Sequence, residues 1–270
     1  KCGEKPEIEL FTNGTFLSPE RVRELHCAQA KIVVSIDGAK QSNDCNRIFH
    51  KNPAASVFDC VMENLRKLSK AELGLMCASM TVTAQTAASL TENVRFLREF
   101  GFGEVQINLN ILEIWKKRGI MGLKEGIAGL KEYYRRIAGT EMRSFQGFRF
   151  GLEYILLKWD EDLRRSSIFK EISIGPDGYF YPCGLVSTFG RQKSGYRIGD
   201  LKNGFYIAKM RTLRKQAVSY IVRHDRNCGL LEFIPNPMLL YFAVKLKHLD
   251  PYSVFRSARD VFKIFYDELG

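Results

Sequence analysis

Short apolar runs and longer stretches with helical apolar spacing alternate four times along the first half of the chain. "IELF" at 8–11 leads through Asn13-Gly14 to Ser18-Pro19, a turn and a helix start that predict a helix over roughly 18–30. "KIVVSIDG" at 31–38 is a β-branched run ending in Ser35, Asp37 and Gly38, and Val57, Val61, Leu65 and Leu68 mark the apolar face of the helix after it. "LGLMCASMTVT" at 73–83 and "EVQINLNI" at 104–111 repeat the unit, with a helix from about Thr86 to Phe100 between them and helices through about residue 137 behind. Runs that are apolar throughout, joined by helices, predict an α/β fold: a parallel sheet covered on both faces or closed into a barrel. Right-handed crossovers bring all four strand ends to one face. The residues there are Thr12 and Asn13, Ser35 and Asp37, Thr81 and Thr83, Asn108 and Asn110. A polar rim over apolar strands is where parallel α/β folds bind their ligands.

The pattern changes after about residue 140. "RSFQGFRFGLEYILLKWDEDL" at 143–163 is aromatic and mixed, and "KEISIGPDGYFYPCGLV" at 170–186 reads as a β-hairpin around Gly175-Pro176-Asp177-Gly178. "YRIGDLKNG" at 196–204 adds a short extended piece, and the remainder is helical with a break at "FIPNP" (233–237). A smaller α+β module over 146–270 behind a first domain of 1–145 is the simplest division, its boundary falling between 140 and 170.

Composition changes this picture little. Hydrophobic residues make up 45% and charged residues 26%, ordinary for a globular chain, and every long apolar stretch is broken by charge, which excludes a membrane span. The net charge of +11 fits an anionic partner, but the basic residues form no long run, so a solvated surface is the better explanation and nucleic acid a poor partner. Seven cysteines at 2, 27, 45, 60, 77, 183 and 228 contain no C-x-x-C pair, and the four histidines show no metal-ligand spacing. A scattered odd set of this kind points to reduced thiols and a cytoplasmic setting. The aromatics in "YFAVKLKHLDPYSVFRSARDVFKIFY" recur at helical spacing with Lys and Arg between them, which suits the apolar face of a docking helix better than a contact with a nucleic acid or an acidic leader peptide.

Three segments in order, "IELFTNGTFL", "VVSIDGAKQSNDCNRIF" and "SVFDCVMENLRKL", resemble the middle of a radical S-adenosylmethionine (radical SAM) enzyme of the SPASM-associated branch. In the second, Asp44 and Arg47 match the Asp and Arg of the family's H-D-x-x-R text, with Asn43 in the place of His. "ISIGPDGYFYPCGLV" followed by "YRIGDL" is similar to the opening of a SPASM or twitch module. The resemblance covers roughly 8–110 and 170–205. It implies a partial (β/α)6 barrel, of which this chain carries the last four strand-helix units. It also implies S-adenosylmethionine and a [4Fe–4S] cluster as cofactors of the parent protein, and a peptide or protein as substrate. The family's activity is reductive cleavage of S-adenosylmethionine to a 5′-deoxyadenosyl radical that abstracts hydrogen. The C-x-x-x-C-x-x-C that holds the cluster is not among these residues, so the chain is expected to be a fragment, inactive as it stands.

By the same resemblance, Asn13, Ser35, Asp37 and Arg47 are the cofactor-binding candidates. Ser35 and Asp37 would meet the ribose and the methionine end, and Arg47, twelve positions after Ser35, would neutralise the methionine carboxylate. Each has a plainer reading: Asn13 as an Asn-Gly turn, Asp37 as a turn and cap, Arg47 as an ion pair with Asp44. Cys183 matches the first ligand of an auxiliary cluster, but only Cys228 follows it, which favours a cluster-free module. Two other readings stay open. One is a different parallel α/β enzyme for a phosphate ligand, against which no Gly-rich phosphate loop appears. The other is a non-catalytic module binding peptide or nucleic acid through a basic surface.

Overall fold

The computed structural model describes residues 8–110, 113–138, 172–187, 191–225, 241–242, 244–245 and 247–269, which form two compact units. The first holds 8–110 and 116–138, the second 113–115 and 172–268. The aromatic segment at 143–163, the break at 233–237 and Cys228 lie outside the described residues.

In the first unit β1 (Ile8–Thr12), β2 (Ala30–Ser35), β3 (Cys77–Val82) and β4 (Glu104–Leu109) form one all-parallel sheet in chain order. Its register aligns Ser35 with Ser79 and Thr81 with Asn108. Between the strands lie α1 (Pro19–Cys27), α2 (Lys40–Asn46), α3 (Val57–Leu65), α4 (Lys70–Gly74) and α5 (Leu90–Phe100), followed by α6 (Lys117–Ala138). Local chemistry sets their ends. Ser18 caps α1 by accepting from Arg21 N–H, Ser56 caps α3 through Asp59 N–H, and Ser69 with Glu72 makes a capping box for α4. The first helix stops at Cys27, short of residue 30, because Gln29 takes φ 58° and Ala30 already belongs to β2. Likewise α4 takes Leu73 and Gly74, so β3 starts only at Cys77.

The sheet departs from the predicted two-sided burial. Ile32, Val34, Ala78, Met80, Val82, Val105 and Ile107 are buried in one phase of the strands, where α1 packs on β2 and α5 on β4. The other phase holds Glu9, Lys31, Ser35, Ser79, Thr81, Gln106 and Asn108, all half-buried or exposed. Phe11, Val33 and Cys77 are its apolar exceptions, and in β2 and β3 they make an alternating strand read as continuously hydrophobic. Lys31 spans this polar face, reaching Glu104 at 2.8 Å and Glu9 at 3.5 Å. Burial pushes its ammonium down, and Glu104 more than offsets that, leaving it above its ordinary value.

α6 lies close to its neighbours because its contact side is glycine. A Cβ on Gly119 would sit 2.6 Å from Ala84 Cβ, and one on Gly126 2.4 Å from the Ala87 carbonyl oxygen. Thr91 Oγ1 donates to the Gly126 carbonyl at 2.9 Å across this gap.

The second unit begins with an antiparallel sheet of β5 (Ser173–Ile174), β6 (Tyr179–Tyr181), β7 (Gly199–Asp200) and β8 (Gly204–Phe205). α7 (Gly184–Ser187) lies between β6 and β7 in the chain, and α8 (Ile207–Asp225) and α9 (Pro251–Leu269) follow β8. The predicted hairpin is present, with Gly178 at φ 74° closing its turn. Asp177 fastens it: Oδ2 accepts from Tyr181 Oη at 2.7 Å and from Lys193 Nζ at 3.2 Å, with Arg197 at 3.5 Å. Burial pushes this carboxyl up, but the Tyr181 and Lys193 hydrogen bonds prevail and hold it down at about 2. Tyr181, Cys183, Val186, Ile198, Met210, Leu213, Ala217, Tyr241 and Phe242 make the core beneath. Among the described residues no helix is long and apolar enough to cross a membrane.

Two tests follow from this packing. Gly126→Ala gains about 1 kcal/mol of helix propensity but forces a methyl into the Ala87 backbone, for a net loss of about 1–3 kcal/mol in urea unfolding. Gly74→Ala, whose Cβ would meet nothing within 4 Å, serves as the neutral or stabilised control. Asp177→Asn weakens the hairpin at pH 7. The Asp177 carboxyl is lower folded than unfolded, so its contribution is complete above about pH 4 and is lost as pH falls toward 2. The difference in hairpin hydrogen exchange between wild type and variant therefore closes over that window.

Candidate functional site

Six polar side chains are buried among the described residues, and five of them, Asp37, Ser42, Asn43, Thr86 and Asn93, gather at the carboxyl ends of β2 and β3. Buried polar groups need partners, so such a gathering marks the place where the fold is organised around something other than apolar contact. It begins at the loop after Ser35. Gly38 takes φ 106°, and a Cβ there would lie 2.3 Å from Asn93 Cβ, so only glycine lets α5 approach this closely. Asn93 then holds the loop: its Oδ1 accepts from Ala39 N–H at 3.0 Å and its Nδ2 donates to Ser42 Oγ at 2.9 Å. From the other side Asn43 Oδ1 accepts from Asp37 N–H at 3.1 Å.

The loop thereby buries the Asp37 carboxylate, whose side chain is 1% exposed, at the open end of the sheet. Oδ1 accepts from Thr81 N–H and from Arg47 Nη2, both at 2.7 Å. Asp37 thus ties the end of β2 to β3 and draws Arg47 over the strand ends. Asn46 repeats the link, donating to the Thr81 carbonyl at 3.1 Å and accepting from Thr83 Oγ1 at 3.3 Å. Thr83 and Thr86 close the β3 end by reciprocal hydroxyl–amide bonds. Two buried atoms of the cluster find no partner among the described residues: Asp37 Oδ2, an acceptor, and Arg47 Nε, a donor. Each costs about 1–3 kcal/mol unless something meets it. An acceptor and a donor left over at the carboxyl end of a parallel sheet suit a ligand that carries both functions.

The structure brings Asp37 and Arg47 together, and sets Ser35, half-buried, on the strand just before them. Ser35 stands in register with Ser79, whose Oγ accepts from Asn108 Nδ2 at 3.0 Å. Two plainer readings are corrected. Arg47 pairs with Asp37 and not Asp44, because Asp44 is taken by Ser56 Oγ at 2.6 Å and Phe58 N–H at 2.9 Å. Burial raises the Asp44 carboxyl, but those two bonds more than reverse the effect. Nor does Asp37 cap α2, whose N-cap is Ala39 with no side-chain bond. Asn13 is exposed and makes an Asx turn with Thr15, as its plainer reading has it. Sequence reasoning missed Ser42, Asn46 and Asn93. Asn93 had a signal, a polar residue among Leu90, Val94 and Leu97 on the apolar side of its helix.

The five described thiols stand in separate elements. Cys27 and Cys45 are exposed, Cys60 is half-buried, and Cys183 lies in the second core. Cys77 is buried beneath the sheet's polar face, and burial pushes its thiol up to about 12. Among the described residues no group of three or more His, Cys, Asp or Glu could hold a metal ion.

No family model and no curated protein matches the chain. Solved structures do. Native anSMEcpe with bound AdoMet and Cp18Cys peptide is 18% identical, with 99% of this chain covering 76% of that one at a TM-score of 0.62. Native anSMEcpe with bound AdoMet (19% identity, 77% and 57% coverage, TM-score 0.52) and its hexahistidine-tagged form (20%, 73% and 52%, 0.51) are also similar. anSMEcpe is a radical SAM anaerobic sulfatase-maturating enzyme with a SPASM domain. At these identities the likeness is one of fold, and the chain spans about half the length of the latter two structures.

Arg47→Ala strands the Asp37 carboxylate and is expected to cost about 3 kcal/mol in urea unfolding. Adding Asp37→Asn recovers part of that loss, giving a coupling of about 1 kcal/mol or more; strictly additive losses would show that the pair does not interact.

Proposed function

We propose that the chain is the S-adenosylmethionine-binding part of a radical SAM-type protein acting on a peptide. Residues 1–145 would supply consecutive strand-helix units of a (β/α)6 barrel and 146–270 a SPASM-like module. The observation that carries this is the unsatisfied pair, Asp37 Oδ2 and Arg47 Nε, at the strand ends. The fold shared with AdoMet-bound anSMEcpe supports it.

The residues fit S-adenosylmethionine. Its methionine end offers an ammonium and a carboxylate, and its ribose two hydroxyls. A guanidinium suits the carboxylate, a carboxylate oxygen suits the ammonium or a hydroxyl, and the Ser35 hydroxyl suits the ribose. The donor set does not fit an iron–sulfur cluster. These 270 residues contain no C-x-x-x-C-x-x-C, and the described cysteines stand in separate elements. Binding and orienting the cofactor, and excluding water from it, are therefore the tasks assigned to this chain; reductive cleavage is not.

Isothermal titration of the folded chain with S-adenosylmethionine is expected to show one site, weakened about tenfold by Arg47→Lys, which keeps the charge and loses Nε, and less by Ser35→Ala. No binding to a folded chain, or binding indifferent to Arg47→Lys, overturns the assignment. Anaerobic treatment with iron and sulfide, read by absorption, is expected to leave no stoichiometric [4Fe–4S] band.

A further inference from the structure

Asn-Gly occurs twice in the chain, at 13–14 just after β1 and at 203–204 where β8 begins. The dipeptide is chemically labile, because a glycine carries no Cβ to shield its amide nitrogen from the side chain before it. That nitrogen can attack the Asn Cγ. An N–C bond forms, the amide NH2 leaves with the glycine proton as ammonia, and water opens the resulting succinimide to Asp or isoaspartate. Nothing is oxidised or reduced, and water is the only co-reactant. The attacking nitrogen and the Cγ have to swing together, so the surroundings decide which of the two sites reacts.

The first site is held. Gly14 N–H donates to Thr12 Oγ1 at 3.1 Å, and Asn64 Nδ2 on α3 donates to the carbonyls of Gly14 at 3.1 Å and Thr15 at 2.9 Å. A Cβ on Gly14 would lie 2.9 Å from Val61 Cγ1, so the turn is packed as well as bonded. The Asn13 side chain is fixed by Oδ1, which accepts from Thr15 N–H at 3.1 Å and Thr15 Oγ1 at 2.8 Å. At the second site the bonds run to Asp200. Its Oδ1 accepts from the N–H groups of Lys202 at 2.8 Å and Asn203 at 2.7 Å, and Asn203 Nδ2 donates to Oδ1 and Oδ2 at 3.1 and 3.0 Å. Asn203 is exposed, a Cβ on Gly204 would meet nothing within 4 Å, and β7 and β8 have two residues each. So short a pair opens locally far more often than a turn packed on a helix.

We propose that Asn203 is a site of spontaneous deamidation, and that its conversion releases the β7–β8 turn. The amide gives Asp200 two hydrogen bonds through Nδ2. The carboxylate that replaces it has no proton to donate and sets like charge against Asp200. Isoaspartate goes further, since it moves a methylene into the main chain between two very short strands. The register carries the loss inward, because β7 pairs Gly199 with Phe180 and Asp200 with Tyr179 of β6. At Asn13 the same conversion leaves the turn intact, because a carboxylate oxygen accepts from Thr15 as the amide oxygen does. The Asn203 site belongs to the second unit and stands independently of the S-adenosylmethionine reading.

For the test, the whole chain is incubated in mildly alkaline buffer, and Asp and isoaspartate are measured by mass spectrometry in the tryptic peptides that carry Asn13 and Asn203. Conversion at Asn203 should be about tenfold faster or more in the folded chain, and the two rates should converge in urea. Equal rates in the folded chain, faster conversion at Asn13, or conversion at neither while the urea-unfolded chain reacts overturns the proposal. Asn203→Asp should speed amide hydrogen exchange in β6–β8 about tenfold, while Asn13→Asp leaves the exchange of β1 and β2 unchanged. Adding Asp200→Asn restores a donor opposite a carboxylate and should recover part of the protection. Exchange in Asn203→Asp that matches wild type overturns the release of the turn.

Discussion

A buried carboxylate has to be compensated, and in the first unit that requirement fixes the end of the sheet. Asp37 takes an N–H from β3, a guanidinium from the residue after α2, and has its own N–H held by Asn43. Removing any of these leaves charge or dipole in a low-dielectric place, which costs more than an apolar contact of similar size. The strand ends, α2 and the loop between them are therefore one object. The same compensation is incomplete by one acceptor and one donor, and that remainder is what turns a structural knot into a candidate binding site.

Much of the first unit was legible in its hydrophobic rhythm, because strands and helices of a parallel sheet differ in period and length. The four strands and the order of the main helices emerge from that alone. What the rhythm hid was the second face. Val33 and Cys77 interrupt the polar phase where Lys31, Ser35, Ser79 and Thr81 continue it, and a run of short side chains reads as apolar. α2 and α4 were invisible for a different reason. They are one or two turns long, with too few positions for a period, and only the Ser69–Glu72 box announces α4.

The site was legible in part. Asp37 and Arg47 stood out as residue types, but their mutual pairing depends on how a loop folds back, which spacing along a chain does not encode. Arg47 and Asp44 are three apart and look like a helical pair, yet Arg47 lies just past the end of α2 in extended backbone and points elsewhere. In the second unit the hairpin was readable from Gly-Pro-Asp-Gly, while the work of Asp177, joining Tyr181, Lys193 and Arg197, arises only once the sheet is formed. Cys183 was singled out by its motif alone, and its burial among Val186, Ile198 and Met210 depends on a core that the motif does not encode.

The close fit of Gly38 against Asn93 binds two distant positions into a single heritable unit. A side chain at position 38 collides with Asn93, while a smaller residue at 93 makes room but abandons the Ala39 amide and the Ser42 hydroxyl. Neither step is tolerable first, so the route between one loop arrangement and another passes through a double change. Related chains would be expected to vary around this pair more readily than through it.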